Sequence, residues 1–146
     1  IASVLALAYV MNFSGQTIAM GTYLAGLGTV YAFLAPALGW IGTAVTGSDT
    51  SANALFSKLQ VSAAENLQQA GIHGATPELM LAANTTGGVV GKMISPQSLA
   101  IAATSVDMEG KESDILKAVL PWSFAMLLFV CVLVFLQTNV LSFLVP

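Results

Sequence analysis

The chain has little of what a soluble enzyme or a nucleic-acid-binding protein needs. It contains no arginine, one histidine and one cysteine, and only 8% of its 146 residues are charged. Its four lysines are spread along the chain, which excludes a basic patch for nucleic acid. Cys131 stands alone in an apolar run, so it can form neither an intrachain disulfide nor a cysteine zinc site. We interpret it as a buried, inert thiol.

Apolar surface is what the chain has in abundance. Hydrophobic residues make up 56% of it and the mean hydropathy is +0.83, whereas soluble domains carry about 25% charged residues. The composition predicts an all-α, polytopic membrane protein. Its clearest span is 118–145, which has no charged residue and carries Trp122 near one interface. The preceding segment, 107–117, holds six of the eleven charges and is predicted to be a solvated polar loop.

The first residues resemble the interior of a helix. The chain opens with Ile1 and an apolar run, without the basic region or cleavage site of a signal peptide. We therefore expect a piece of a longer protein that starts inside a transmembrane helix. Segment 1–33 is predicted to contain helices, with a break at 12–15 and an apolar helix over 16–33.

A polar stretch at 46–53 lies between two apolar runs. The run before it, from residue 34 to 45, is too short to cross about 30 Å of hydrocarbon. A helix over 54–70 follows it. A short arm, a polar tip and a returning helix predict a re-entrant hairpin over 34–70.

A second polar stretch interrupts the region 76–106. Thr76 fits a helix N-cap and Pro77 the first helical position, so a helix should begin there. The sequence at 84–88 combines Asn, Thr and two glycines, which predicts a broken transmembrane helix. Unwound backbone at membrane depth must be buried in protein or line a cavity, because unpaired N–H and C=O groups cost several kcal/mol each in lipid.

Two interrupted helices together predict a binding site for a small anion. A restarted helix offers free N–H groups and a positive dipole end, so it can bind a carboxylate without arginine. The alternative is that these residues are ordinary caps and turns at kinks. The candidate substrate-binding residues are Gly47, Ser48, Thr50, Ser51, Asn53, Asn84, Thr85, Thr86, Gly87 and Gly88.

Two charged residues accompany this site. An intramembrane carboxylate is a functional candidate by default. Three roles are open to Asp49: it carries a coupled proton, it coordinates a cation, or it caps the returning helix. Lys92 follows Gly88 by one helical turn and could attract an anion, pair with Asp49 or extend to the interface. His73, in a loop, is expected to be solvated. The sequence shows no catalytic Ser/His/Asp set and no metal cluster, so neither an enzyme nor a cofactor is expected.

The same stretches resemble a known family. The runs GSDTSANALF (47–56), ANTTGGVVGKMISPQS (83–98) and GKESD (110–114), with the opening run 1–12, are similar to the C-terminal part of bacterial L-lactate permeases. The resemblance covers nearly the whole chain. It implies a multi-pass inner-membrane permease that imports lactate, and often glycolate, together with protons. It also implies that the chain is one half of an inverted-repeat transporter. The N-terminal part of the same protein, embedded in the same membrane lipid, would then complete the site.

Several interpretations remain open beside this one. The chain could belong to a non-transporting membrane scaffold subunit, whose polar stretches are packing breaks. It could also belong to a sodium-coupled transporter of another small anion. Our hypothesis is that the lactate carboxylate sits between the hairpin tip at 47–53 and the break at 84–88, and that Asp49 or a residue of the N-terminal part carries the proton.

Overall fold

The computed structural model describes residues 2–144, and within that part the chain is helical, with no strand. Predicted positions 1 and 145 lie outside the described residues. Two short 3₁₀ turns cover Lys92–Ile94 and Ser142–Leu144. The α-helices are α1 (Ala2–Phe13), α2 (Gln16–Ala25), α3 (Thr29–Thr46), α4 (Asp49–Gln69), α5 (Pro77–Gly91), α6 (Pro96–Ser105) and α7 (Glu112–Asn139).

Two of the described helices, α3 and α7, are long and apolar enough to cross a membrane. Helices α1 and α2 meet at a bend of 72° and would form a third, broken span if they are counted as one. The predicted class, a polytopic α-helical membrane protein, is confirmed.

The N-terminal region breaks once more often than expected. The predicted break at 12–15 is present, with Gly15 in the left-handed conformation at φ 77°. The predicted helix over 16–33 is wrong, because the chain turns at 26–28, where Gly28 adopts φ 61° and ψ −138°. This conformation lies outside the helical region, so the helix ends there, and glycine adopts it readily because it has no side chain. Helix α3 therefore begins at Thr29 and has 18 residues, rather than forming a short arm from residue 34.

The hairpin between α3 and α4 turns within two residues. Gly47 ends α3 in the left-handed conformation (φ 70°), and the hydroxyl of Ser48 caps α4 by accepting from the N–H of Ser51 at 3.3 Å. Because the cap already lies at Ser48, α4 begins at Asp49 instead of at residue 54. Most of the predicted polar stretch is thus helical.

Helix α5 starts as predicted, with Thr76 as its N-cap and Pro77 in its first turn. The predicted break at 84–88 is wrong: α5 continues through it and ends at Gly91. The hydroxyls of Thr85 and Thr86 bond to carbonyls one turn back within α5. The glycines serve close packing instead of unwinding. The break lies at 92–95, where Ser95 caps α6 and Pro96 opens it.

The predicted loop 107–117 is shorter than expected, because α7 starts at Glu112 and not at residue 118. Glu112 and Asp114 stand in its first turn, where acidic side chains stabilise the positive helix end. Helix α7 ends at Asn139, short of the predicted residue 145.

Helices α3 and α5 cross with their backbones in close contact. A methyl group added at Gly39 would overlap the backbone carbonyl of Asn84, and one added at Gly87 would overlap that of Pro36. Gly91 meets the carbonyl of Trp40 in the same way. Small residues that let two backbones touch are a common device for packing membrane helices. This crossing places α4 against both helices.

Candidate functional site

The hairpin tip contacts the break after α5. The ammonium group of Lys92 donates to the carbonyl oxygen of Gly47 at 2.7 Å. The side chain of Gln97 packs over the same glycine. Because Gly47 follows the C-terminal turn of α3, the cation stabilises the negative end of that helix. The structure therefore shows Lys92 bound to a backbone carbonyl and not paired with Asp49.

Asp49 lies in the first turn of α4 and is half-buried. One carboxylate oxygen, Oδ2, accepts from the amide of Asn53 at 3.1 Å, and the other, Oδ1, faces the hydroxyl of Thr43 at 3.5 Å. A methyl group at Gly88 would overlap Oδ1, so the carboxylate sits directly against the α5 backbone. Capping is done by Ser48, which leaves the carboxylate free for another role.

A chain of hydrogen bonds leads from Asp49 into the core. Asn53 accepts from the amide of Asn84 at 2.7 Å, and Asn84 accepts from Gln60 at 3.2 Å. Gln60 in turn accepts from the hydroxyl of Tyr31 at 2.6 Å. Asn84, Gln60 and Tyr31 are completely buried. Because buried polar groups are costly unless they are paired, such a chain needs every bond to be made.

Six of the predicted site residues converge at this junction of α3, α4 and α5. They are Gly47, Asp49, Asn53, Asn84, Thr85 and Gly88. Thr85 is exposed at the edge of the group, and its hydroxyl shares one O–H between Asn53 and the carbonyl of Leu81, each at 3.1 Å. The site therefore has a polar side open to its surroundings and a buried side.

The remaining candidates lie elsewhere. Thr50 and Ser51 line a small cavity beside α1. Thr86 faces a cleft of about 340 Å³ between α5 and α7. Gly87 packs on α3, and Ser48 is used as a cap. Thr50, Ser51, Thr86 and Gly87 therefore face other parts of the bundle, whereas Ser48 stands between Gly47 and Asp49 and is used as the cap of α4.

The sequence interpretation missed three residues of the group, namely Thr43, Gln60 and Tyr31. One signal was available: Asn53 and Gln60 are seven residues apart, which places them on one face of a helix. Tyr31 and Thr43 gave no such signal, because a tyrosine and a threonine are ordinary in an apolar helix.

The junction brings a carboxylate, hydroxyls and amides together, which are groups that can hydrogen-bond a small polar ligand. Within residues 2–144, no three histidine, cysteine or acidic side chains converge as metal ligands.

The fold and the site define a polytopic membrane protein with a polar junction inside its apolar helices. The chain belongs to the L-lactate permease family, whose model matches residues 1–141. Membership of this family agrees with the apolar, multi-helix membrane architecture described above.

Individual relatives agree with this assignment. The chain is 47% identical over 146 residues to the L-lactate permease of Bacillus subtilis (strain 168) and 45% identical to that of Escherichia coli (strain K12). It is 41% identical over 142 residues to a glycolate permease of Escherichia coli (strain K12), or 97% of this chain and 24% of the relative. The first two alignments cover all of this chain and 25% of each relative, so the chain spans about a quarter of their length. No solved structure matches it.

Proposed function

We propose that the protein containing this chain imports L-lactate, and small 2-hydroxy acids such as glycolate, across the bacterial inner membrane together with a proton. The names of the relatives supply the substrate class: L-lactate permeases and a glycolate permease. The observation that carries the mechanism is the carboxylate of Asp49, held against the α5 backbone at Gly88. Carboxylates inside membrane helices mark ion and proton pathways.

The exposed edge of the junction supplies the groups that a hydroxy acid needs. Thr85 is exposed, while Asn53 and Asp49 are half-buried, so a ligand can reach their hydroxyl, amide and carboxyl groups from one side. An amide and a hydroxyl can donate to a substrate carboxylate. The rest of the full-length protein would complete the site.

A negative substrate next to Asp49 couples the two binding events. Two like charges about 5 Å apart repel by roughly 3 kcal/mol at an effective dielectric constant of about 20. Bound lactate therefore favours the protonated form of Asp49, and a bound proton favours lactate to the same degree, because linkage is reciprocal. The pair crosses the membrane without net charge, which avoids a cost of about 2.3 kcal/mol per 100 mV for the anion alone.

The test is uptake of radiolabelled L-lactate by membrane vesicles that contain the full-length permease. Uptake is driven in turn by an imposed pH gradient and by a sodium gradient, with the membrane potential clamped. We expect accumulation with the pH gradient only, and competition by glycolate but not by a dicarboxylate. Accumulation driven by sodium alone would contradict proton coupling, and absence of any uptake would favour a scaffold.

A further inference from the structure

We propose that Gln60 is a positioning residue that sets the direction of the hydrogen-bond chain leading to Asp49 and so decides which carboxylate oxygen takes the proton. The inference rests on the proposed function, in which Asp49 carries that proton. Gln60 is completely buried and lies three turns along α4 from Asp49, so it acts through other residues.

A backbone carbonyl fixes the orientation of the Gln60 amide. Its Nε2 group donates to the carbonyl oxygen of Ala35 at 3.0 Å. A carbonyl can only accept, so the NH₂ end of the amide must face α3. The oxygen end then faces the hydroxyl of Tyr31, which donates to it at 2.6 Å.

This orientation passes from residue to residue. Nε2 of Gln60 also donates to Oδ1 of Asn84, which turns Nδ2 of Asn84 toward Asn53. Asn53 accepts there through Oδ1, so its own Nδ2 points at Asp49. The hydroxyl of Thr85 shares its one O–H between this Oδ1 and the carbonyl of Leu81, which is compatible with this orientation of Asn53. Every amide in the chain therefore donates in the direction of the carboxylate.

The two oxygens of Asp49 become unequal as a result. Oδ2 receives an N–H and serves as an acceptor, whereas Oδ1 faces the hydroxyl of Thr43 and the backbone of Gly88. A hydroxyl can accept as well as donate, so a proton on Oδ1 keeps a partner. The proton comes from water, forms an O–H bond at Oδ1, and leaves as a proton when that bond breaks.

Other ionisable groups on the helices packed against α4 lie away from the carboxylate or are already engaged. Lys92 bonds the carbonyl of Gly47, and Tyr31 stands at the far end of the chain. The rest are exposed, namely Tyr9 on α1, Tyr23 on α2, Glu78 on α5, and Lys58 and Glu65 on α4 itself.

The experiment compares Gln60→Met with Tyr31→Phe in the full-length permease. Met fills the space of Gln without an amide, so Asn84 and Asn53 can turn and present an oxygen to Asp49. A lost hydrogen bond to a carboxylate favours its protonated form, so the pH midpoint of proton-driven uptake should move up by about 0.5–1 unit. Accumulation should fall, while lactate exchange without net proton movement should keep its KM.

Tyr31→Phe is the matched control, because it breaks the same buried chain but leaves the bond from Gln60 to Ala35. It should lower thermal stability without moving the pH midpoint. Equal midpoints in the wild-type protein, Gln60→Met and Tyr31→Phe would overturn the inference, and so would equal shifts in both variants. If Gln60→Met does not reach the membrane, Gln60→Leu takes its place, because it also removes the amide at residue 60, and its midpoint decides in the same way. Failure of the wild-type protein to accumulate lactate would instead reject the proposed function.

Discussion

Helices α4 and α7 are both long, yet they use their surfaces in opposite ways. Helix α7 has 28 residues and buries one narrow stripe, which consists of Ser123, Leu127, Cys131, Val134 and Thr138. Most of its large apolar side chains are exposed, including Trp122 and Phe129 at 68% each. Helix α4 has 21 residues and buries a broad face that includes the amide of Gln60.

The two helices thus differ in which side chains they bury: α4 buries polar groups, whereas α7 mainly exposes apolar ones. The apolar side chains of a membrane helix are already stable against lipid tails, so such a helix gains nothing from burying polar amides. Helix α4 is not among the spans that length and composition identify, and its polar face is paired with α3 and α5. This paired polar face, with Asp49 at its start, is where we propose that the binding site lies.

The largest effect is expected from Gly88→Ala, which would break the contact between α5 and the carboxylate of Asp49. A displacement of about 1 Å at a reacting group can cost on the order of a hundredfold in rate, and we expect such a loss in proton-driven uptake per folded molecule. Gly91→Ala is the control, because its methyl group would meet the carbonyl of Trp40 instead. Equal uptake per folded molecule in both variants would show that the carboxylate contact is unimportant.

Gly87→Ala should weaken the crossing of α3 and α5, on which the polar face of α4 depends. Alanine gains about 1 kcal/mol in helix propensity, but overlap with the backbone carbonyl of Pro36 cannot be relieved by a side-chain rotation. We expect a net loss of about 2 kcal/mol of stability. Thermal unfolding of the purified permease measures it, with the exposed Val89→Ala on the same helix as control. A Gly87→Ala protein as stable as wild type would contradict the close crossing.

Lys92→Met tests whether the ammonium group of Lys92 stabilises the fold or binds the substrate. Loss of the bond to the Gly47 carbonyl should cost about 1.5 kcal/mol, since a charged hydrogen bond is removed from the end of a helix. We expect lower thermal stability and an unchanged KM for lactate. A KM raised tenfold at wild-type stability would instead assign Lys92 to the substrate.

The smallest effect concerns the attachment of α7 to the interior. The indole of Trp40 donates to the hydroxyl of Ser123 at 2.9 Å, and that hydroxyl lies 3.3 Å from the carbonyl oxygen of Val90. Hydrogen bonds between membrane helices contribute about 0.6 kcal/mol on average, so a double-mutant cycle of Ser123→Ala and Trp40→Phe should give about that coupling energy. A coupling energy of zero would mean that apolar contacts alone hold α7.

Local sequence signals predicted some turns and one cap, but they did not predict the role of the glycines inside helices. The turns at Gly15 and Gly47 and the cap at Thr76 follow from local chemistry, and all three are present. A glycine inside an apolar helix, however, is compatible with a break or with a close crossing. The packing of a neighbouring helix distinguishes the two cases, and at Gly87 the backbone of α3 packs in a close crossing.

The site was predictable to the extent that its residues follow local patterns. Asp49, Asn53 and Asn84 were found because polar groups are unusual in such apolar runs. Tyr31 was missed because its partner Gln60 lies 29 residues away, and pairing across that distance is a property of the packed helices. The helix break was predicted at 84–88 because of the glycines there, whereas it lies at 92–95. Ser95 and Pro96 carry the N-terminal helix signal that marks it.

The central claim is that the carboxylate of Asp49 carries the proton that accompanies lactate. The most direct measurement is the change in external pH when L-lactate is added to weakly buffered vesicles containing the full-length permease. We expect alkalinisation by the wild-type protein and by Glu65→Gln, the control at an exposed carboxylate on the same helix. Asp49→Asn should still exchange lactate but cause no alkalinisation, and alkalinisation equal to that of the wild type would contradict the account.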